Sequence, residues 1–280
     1  MNINGYEITD GVLDLSGTCL TTIENKAFLS VRPLREVILP GSIENIGDWA
    51  FARCINLTTV RFEGAIRPGL FGKDVFTGCG RLTYIGFDGM DDAVSKLLAL
   101  CTNKLYYDHL LRADDVGQKS WFEKWDIHLA SKLKSDDAEA KMSAALCGEE
   151  DISYDGIGSV DGELPGETGD YVAAEEQKKS MLCYIRMSND AFLSEETRAL
   201  IEEHIRKNRF GAGSGSSFSA IFEEDEGNID HLRIYLDVVK PDKHTLGEMI
   251  DAVPAKHVEA RAYLIKTAGA GSTGLDDLLL

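Results

Sequence analysis

Six histidines and six cysteines have the widest chemical reach in this 280-residue sequence, and their spacing limits what they can do. His109, His128, His204, His231, His244 and His257 contain no H-E-x-x-H and no pair four residues apart on one helix, so a helix-borne two-histidine zinc site has no basis. Cys19, Cys54, Cys79, Cys101, Cys147 and Cys183 form no C-x-x-C, which argues against clustered zinc ligation and a dithiol redox pair. A nucleophilic Cys–His dyad needs only partners that meet in space, and Cys183 with His204 is one such pairing. With this many cysteines and histidines some pair is always nameable, so the dyad carries little weight. No G-x-S-x-G elbow occurs.

Two loops invite sharper readings. Asp151, Ser153, Asp155 and Gly156 fall at positions 1, 3, 5 and 6 of a calcium-binding EF-hand loop. Position 12 would then be Gly162, with Glu163 one place late, and "LPGETG" is a poor start for the exiting helix. "RFGAGSGSSF", residues 209–218, has the composition of a phosphate-cradling loop, but a helical pattern precedes it where a strand is needed, so it reads as a connector. The expectation is a protein without catalytic residues, metal or cofactor.

The elements that must position any site divide by charge. Residues 1–90 carry 10 acidic and 8 basic side chains, and the remainder carries 37 and 21. An acidic second half repels phosphate backbones, which excludes nucleic acid as the expected partner and makes solubility the plain reading of the charge. No run of about 18 apolar residues exists, so no membrane insertion is expected. "MNINGYEITDG" lacks a basic segment followed by an apolar one, which predicts a cytoplasmic protein, or a cell-surface or secreted one if a leader has been trimmed.

The first 90 residues repeat. Leu20, Ile23, Phe28, Leu34, Val37 and Leu39 recur 23 residues later as Ile43, Ile46, Phe51, Leu57, Val60 and Phe62. A third copy follows at an interval of 25, with Phe76, Cys79, Leu82, Ile85 and Phe87, the extra length falling in "GAIRPGLFGKD". "GVLDLSGT" mirrors "REVILPGS" as a partial repeat acting as a cap. Such a period with L-x-x-L-x-L spacing predicts a leucine-rich solenoid, in which a single turn cannot bury its inward row but stacked copies bury it jointly. Cys54 and Cys79 occupy equivalent places and read as small buried packing residues. Val37 and Leu39 point inward, so Glu36 and Ile38 point out. The exposed strand face is then Asp14, Glu36, Ile38, Thr59, Arg61, Tyr84 and Gly86.

The unit "I-x-x-x-A-F-x-x-C-x-x-L-x-x-V-x-L-P", present as "IGDWAFARCINLTTVRF" and "IENKAFLSVRPLREVILP", resembles the BspA-like leucine-rich repeats of bacteria over roughly residues 11–90. The first copy has Val31 in place of the cysteine, and the third has Val75–Phe76 in place of Ala-Phe. The resemblance implies a surface or secreted binding protein.

From Asp91 the spacing becomes helical. Val94, Leu97 and Leu98 share one side, and Phe122, Trp125, Leu129 and Leu133 form an amphipathic stripe whose tryptophans read as core. Ser194 is a plausible N-cap for "EETRALIEEHIRKN". Residues 147–171 lack helical period and read as a long Gly- and acid-rich loop. "NIDHLRIYLDVV" and "HVEARAYLIKTA", 29 residues apart, resemble a degenerate ankyrin-type pair, without the T-P-L-H element. The expected fold class is α+β, with a short leucine-rich-repeat solenoid (1–90) followed by an all-helical, repeat-like acidic domain (91–280) that shields one end of the stack. The expected function is non-catalytic recognition of a protein or peptide, with a glycan as the alternative ligand. The rival is an enzyme with its site in the helical half and the solenoid as a targeting module, and an adhesin differs from the first reading only in location.

Overall fold

The computed structural model describes residues 2–3, 5–105, 107–135, 166–213 and 215–270. The chain forms two compact units, Met1–Ala130 with Asn189–Leu193, and Ser131–Ser188 with Ser194–Leu280.

In the first unit, strands β3 (Val12–Asp14), β5 (Glu36–Leu39), β7 (Thr59–Phe62) and β8 (Tyr84–Gly86) form one parallel sheet in that order. Leu13, Val37, Val60 and Ile85 stand in register and are fully buried, which makes them the inward row. A second parallel ladder joins β4 (Thr22–Ile23) to β6 (Asn45–Ile46), and the bridge from Ile46 to Phe71 carries it into the next turn. This is the solenoid expected from the repeat. The partial copy pairs as anticipated, Leu13 with Val37, and the hairpin β1 (Asn2–Ile3) with β2 (Tyr6–Glu7) precedes it.

Three columns of residues set the stacking. Phe51 lies between Phe28 and Phe76, with ring centroids 5.2 and 5.8 Å apart and planes within 5° and 14°. The Cys54 thiol donates to the Phe28 carbonyl and the Cys79 thiol to the Phe51 carbonyl, each at 3.1 Å, so these cysteines tie one turn to the next. In the third column each side chain caps its neighbour's backbone. The Asp48 N–H donates to Asn25 Oδ1 at 2.8 Å, and the Lys73 N–H donates to Asp48 Oδ1 at 2.7 Å.

That column explains two glycines. A Cβ on Gly72 would stand 2.6 Å from Asp48 Oδ1 and 2.8 Å from its backbone nitrogen, and Gly47 meets Asn25 in the same way. Gly72→Ala is therefore expected to lower unfolding stability by about 1–3 kcal/mol, the usual cost of overpacking. Gly80→Ala, which meets open space, should change it by less than about 0.5 kcal/mol. Urea unfolding followed by tryptophan fluorescence tests the pair, because Trp49, Trp121 and Trp125 all lie in this unit.

Helix α1 (Asp92–Asn103) starts at the N-cap Asp91, whose carboxylate accepts the Ala93 N–H at 2.8 Å. It packs on β8 with Val94, Leu97, Leu98 and Cys101 buried. The Asn103 amide donates to the Leu82 and Cys79 carbonyls of the last repeat turn. Within the first unit α1 thus covers the last strand of the stack. This unit runs past residue 90, where the repeat spacing ends, because a change from period 2 to period 3.6 marks a new type of element and not a new body. Trp121 and Trp125 on α2 (Lys119–Lys134) are fully buried, with indole N–H groups donating to the Leu110 and Leu97 carbonyls at 3.1 and 3.3 Å.

Among the described residues the elements of the second unit are all helices: α3 (Gly166–Ser188), α4 (Glu195–Lys207), α5 (Ser217–Glu223), α6 (Ile229–Val239), α7 (Lys243–Ala252) and α8 (Val258–Ala270). Helix α3 packs on α4, α5 and α6, and its Met181, Leu182 and Tyr184 are buried. The N-caps are Ser194, as anticipated, then Ser216, Asn228 and Asp242, each side chain accepting a first-turn N–H. The 29-residue echo falls on α6 and α8, with α7 between them.

Residues 166–171, read from the sequence as the end of the Gly- and acid-rich loop, are the first turns of α3. The good helix formers from Ala173 onward outweigh a cost of about 1 kcal/mol for each glycine. Residues 148–165, with Cys147 and the calcium-spaced Asp151, Ser153, Asp155 and Gly156, lie outside the described residues.

Candidate binding face

The outward side of the four-stranded sheet carries two rows in register. Asp14, Ile38, Arg61 and Gly86 form one, and Glu36, Thr59 and Tyr84 form the other. Parallel pairing sets neighbours on each row about 4.8 Å apart. All the residues expected on the exposed face therefore share it, and they differ in what they offer.

Arg61 is the centre of the face. Its Nε donates to Glu36 Oε1 at 3.2 Å, and its guanidinium lies 5.0 Å from the centre of the Tyr84 ring. Held from both sides, the guanidinium is oriented before any ligand arrives, while its side chain stays 57% exposed. An exposed ion pair of this kind adds little stability, about 0–1 kcal/mol, so its consequence is positional.

Gly86 completes the arrangement. A Cβ there would stand 2.8 Å from the Tyr84 hydroxyl oxygen and 2.9 Å from Cζ. The missing side chain is what lets the tyrosine ring lie across the sheet. Tyr84, Gly86, Arg61 and Ile38, with Glu63 and Asp88 at the rim, line a shallow depression of about 540 Å³. Asp14 lies on β3, away from that depression, and accepts the Ser16 N–H at 3.0 Å. The Ser16 hydroxyl, and after it the Ser16 N–H, hold its carboxyl below the usual range. Thr59 stands on β7, one of the two inner strands, with its hydroxyl 3.4 Å from that of Thr58.

Glu63 and Asp88 escaped the sequence reading because they lie one step past the strands. The available signal was the column Pro40, Glu63 and Asp88, which recurs at the repeat interval.

The alternative chemistry fares differently. Cys183 is fully buried, and burial pushes its thiol well above the usual range. His204 Nε2 lies 3.3 Å from Ser180 Oγ, which also meets Ser217 Oγ at 3.0 Å. His204 thus joins a buried hydroxyl–imidazole network inside the helical core. Burial also raises the Cys54 and Cys79 thiols, to about 11 and about 12. Such thiols are almost wholly protonated at neutral pH and serve packing. Residues 209–216 connect α4 to α5, as the preceding helix implied, and the segment contributes Phe210, Gly211 and Gly213 to a hollow of about 390 Å³ beside Phe218, Phe222 and Pro254.

Parallel strands stacked at intervals of 23 and 25 residues, an inward aliphatic row and one open strand face define a leucine-rich-repeat solenoid. Residues 13–103 match the family described as BspA type leucine rich repeat region (6 copies), so the N-terminal third of the chain is a region of that type. The match ends at Asn103, the last residue of α1. No curated protein and no solved structure matches the chain. No helix among the described residues is long and apolar enough to cross a membrane.

Proposed function

We propose that the chain is a non-catalytic recognition protein whose solenoid strand face binds a protein or peptide partner. The observation that carries this reading is the preset Glu36–Arg61–Tyr84 arrangement over the depression beside Ile38. Aromatic and arginine side chains dominate the energetics of protein interfaces, and a guanidinium already oriented loses little freedom on binding. Arg61 is the anchor for a carboxylate or backbone carbonyl, Tyr84 supplies rigid contact area, and Ile38 supplies an apolar footing. Glu63 and Asp88 at the rim favour a ligand with a cationic or N–H-rich edge.

The test is capture of partners on immobilised wild-type protein, identification of the bound species, and titration of the purified partner. Arg61→Ala and Tyr84→Ala should each weaken that affinity by about thirtyfold or more, the span of interface hot spots. Gly86→Ala, whose added Cβ would meet the Tyr84 ring first, should weaken it through the displaced tyrosine. An affinity unchanged in all three folded variants would move the binding surface away from this sheet.

A further inference from the structure

The fold brings together two histidines that no sequence motif connects. His109 sits in the 3-10 turn Asp108–Leu110 and His128 on α2, with their Nε2 atoms 3.1 Å apart. The rings are 5.0 Å apart between centroids and inclined at 75°. The pair is built, not incidental. His128 stacks on Tyr107 at 3.7 Å and 22°, and the edge of Tyr107 also meets His109 at 5.8 Å. The Trp121 indole N–H donates to the Leu110 carbonyl at 3.1 Å, tying the 3-10 turn to α2. The Tyr107 N–H donates to the Cys101 carbonyl at 2.8 Å, tying the same turn to α1.

Two imidazole nitrogens on one metal ion, each bonded at about 2.0–2.1 Å, stand about 2.9 Å apart at a right angle and about 3.3 Å apart at the tetrahedral angle. The observed separation falls between these limits. We propose that His109 and His128 form a surface chelate for a late first-row divalent cation such as Ni²⁺, Cu²⁺ or Zn²⁺, bound through both Nε2 atoms.

The protonation balance is simple. Without metal, one Nε2–H donates and the other Nε2 accepts, so at least one ring is neutral. On binding, the donor ring moves its proton to Nδ1 and both Nε2 lone pairs face the cation. If both rings begin neutral, no net proton is released. The nearest carboxylate in sequence, Asp108, instead accepts the Asp74 N–H at 3.4 Å and pairs with Arg112 at 3.6 Å. No third His, Cys, Asp or Glu joins the pair among the described residues, so water completes the coordination. His109 is exposed and His128 half-buried, which leaves room for that water.

The test is calorimetric titration of the full chain, free of any histidine tag, with Ni²⁺ alone at pH 7.5. The expected result is a site with one ion per chain that is weakened at least tenfold by His109→Gln and, separately, by His128→Gln. His244→Gln, which alters an exposed histidine in the other unit, should leave it unchanged. Cu²⁺ should bind more tightly than Ni²⁺, and Ni²⁺ should raise the melting temperature of the wild type but of neither pair variant. Circular dichroism without metal confirms that the variants are folded. The proposal is overturned if the wild type takes up no ion at millimolar Ni²⁺, or if either histidine of the pair can be removed without weakening the site.

Discussion

Asn103→Asp is expected to destabilise the first unit by about 3–5 kcal/mol, the range for an uncompensated buried charge. Asn103 is 7% exposed, and its amide nitrogen faces the Cys79 and Leu82 carbonyls, while its Oδ1 accepts no hydrogen bond. The substitution keeps the shape and replaces a two-proton donor by a carboxylate oxygen aimed at two carbonyl oxygens. Asn103→Leu, which leaves those carbonyls without the amide but adds no charge, should cost less, about 1–3 kcal/mol.

The pH dependence separates the two variants. In the folded Asn103→Asp protein, repulsion from the carbonyls and burial raise the introduced carboxyl's pKa above its unfolded value of about 3.9. The folded state then binds the extra proton, so stability falls as pH rises from the unfolded pKa to the folded one, and is flat above it. Relative to wild type, the deficit of Asn103→Asp should shrink in acid, whereas that of Asn103→Leu should not. Urea midpoints at pH 4 and pH 7 decide this, and a pH-independent deficit for Asn103→Asp would show that the carboxylate escapes to water.

Phe51→Ala is the second large effect, again about 3–5 kcal/mol. Phe51 is fully buried with a stacked ring on each side, so truncation opens a cavity and removes two ring contacts at once. In a stack where each turn touches only its neighbours, a lesion in a middle turn weakens two interfaces. Phe51→Leu, which refills part of the space, should recover a substantial part of the loss. Tryptophan fluorescence reports this unit alone, since all three tryptophans lie in it, and a loss below about 1 kcal/mol would contradict the stacked column.

The strand face was legible in the sequence because a solenoid repeats its geometry. Once Val37, Val60 and Ile85 are read as one inward column, alternation places Glu36, Arg61 and Tyr84 outside. The turn columns were partly legible. Cys54 and Cys79 could be read as buried, but their hydrogen bonds to the preceding phenylalanine carbonyls depend on how the turns stack.

The helical half gave up less. Ser194 could be recognised as a cap because capping is decided within four residues. Partnerships such as Ser180 with His204 and Ser217 link α3 to α4 and α5, and no local spacing encodes them. The same holds for His109 and His128, which are 19 residues apart and meet only because α2 folds back against the 3-10 turn.

Sequence alone therefore determined what short-range periodicity controls: the solenoid, its inward row, its outward face, and the helical character of the described segments that follow it. Tertiary structure alone decided which helices join the solenoid in one unit, how Asn103 closes the last turn, and which imidazoles face each other. The physical reason is range. Alternation and helical period follow from backbone geometry within a few residues, whereas a closing contact depends on the summed packing of elements whose relative placement no local spacing specifies.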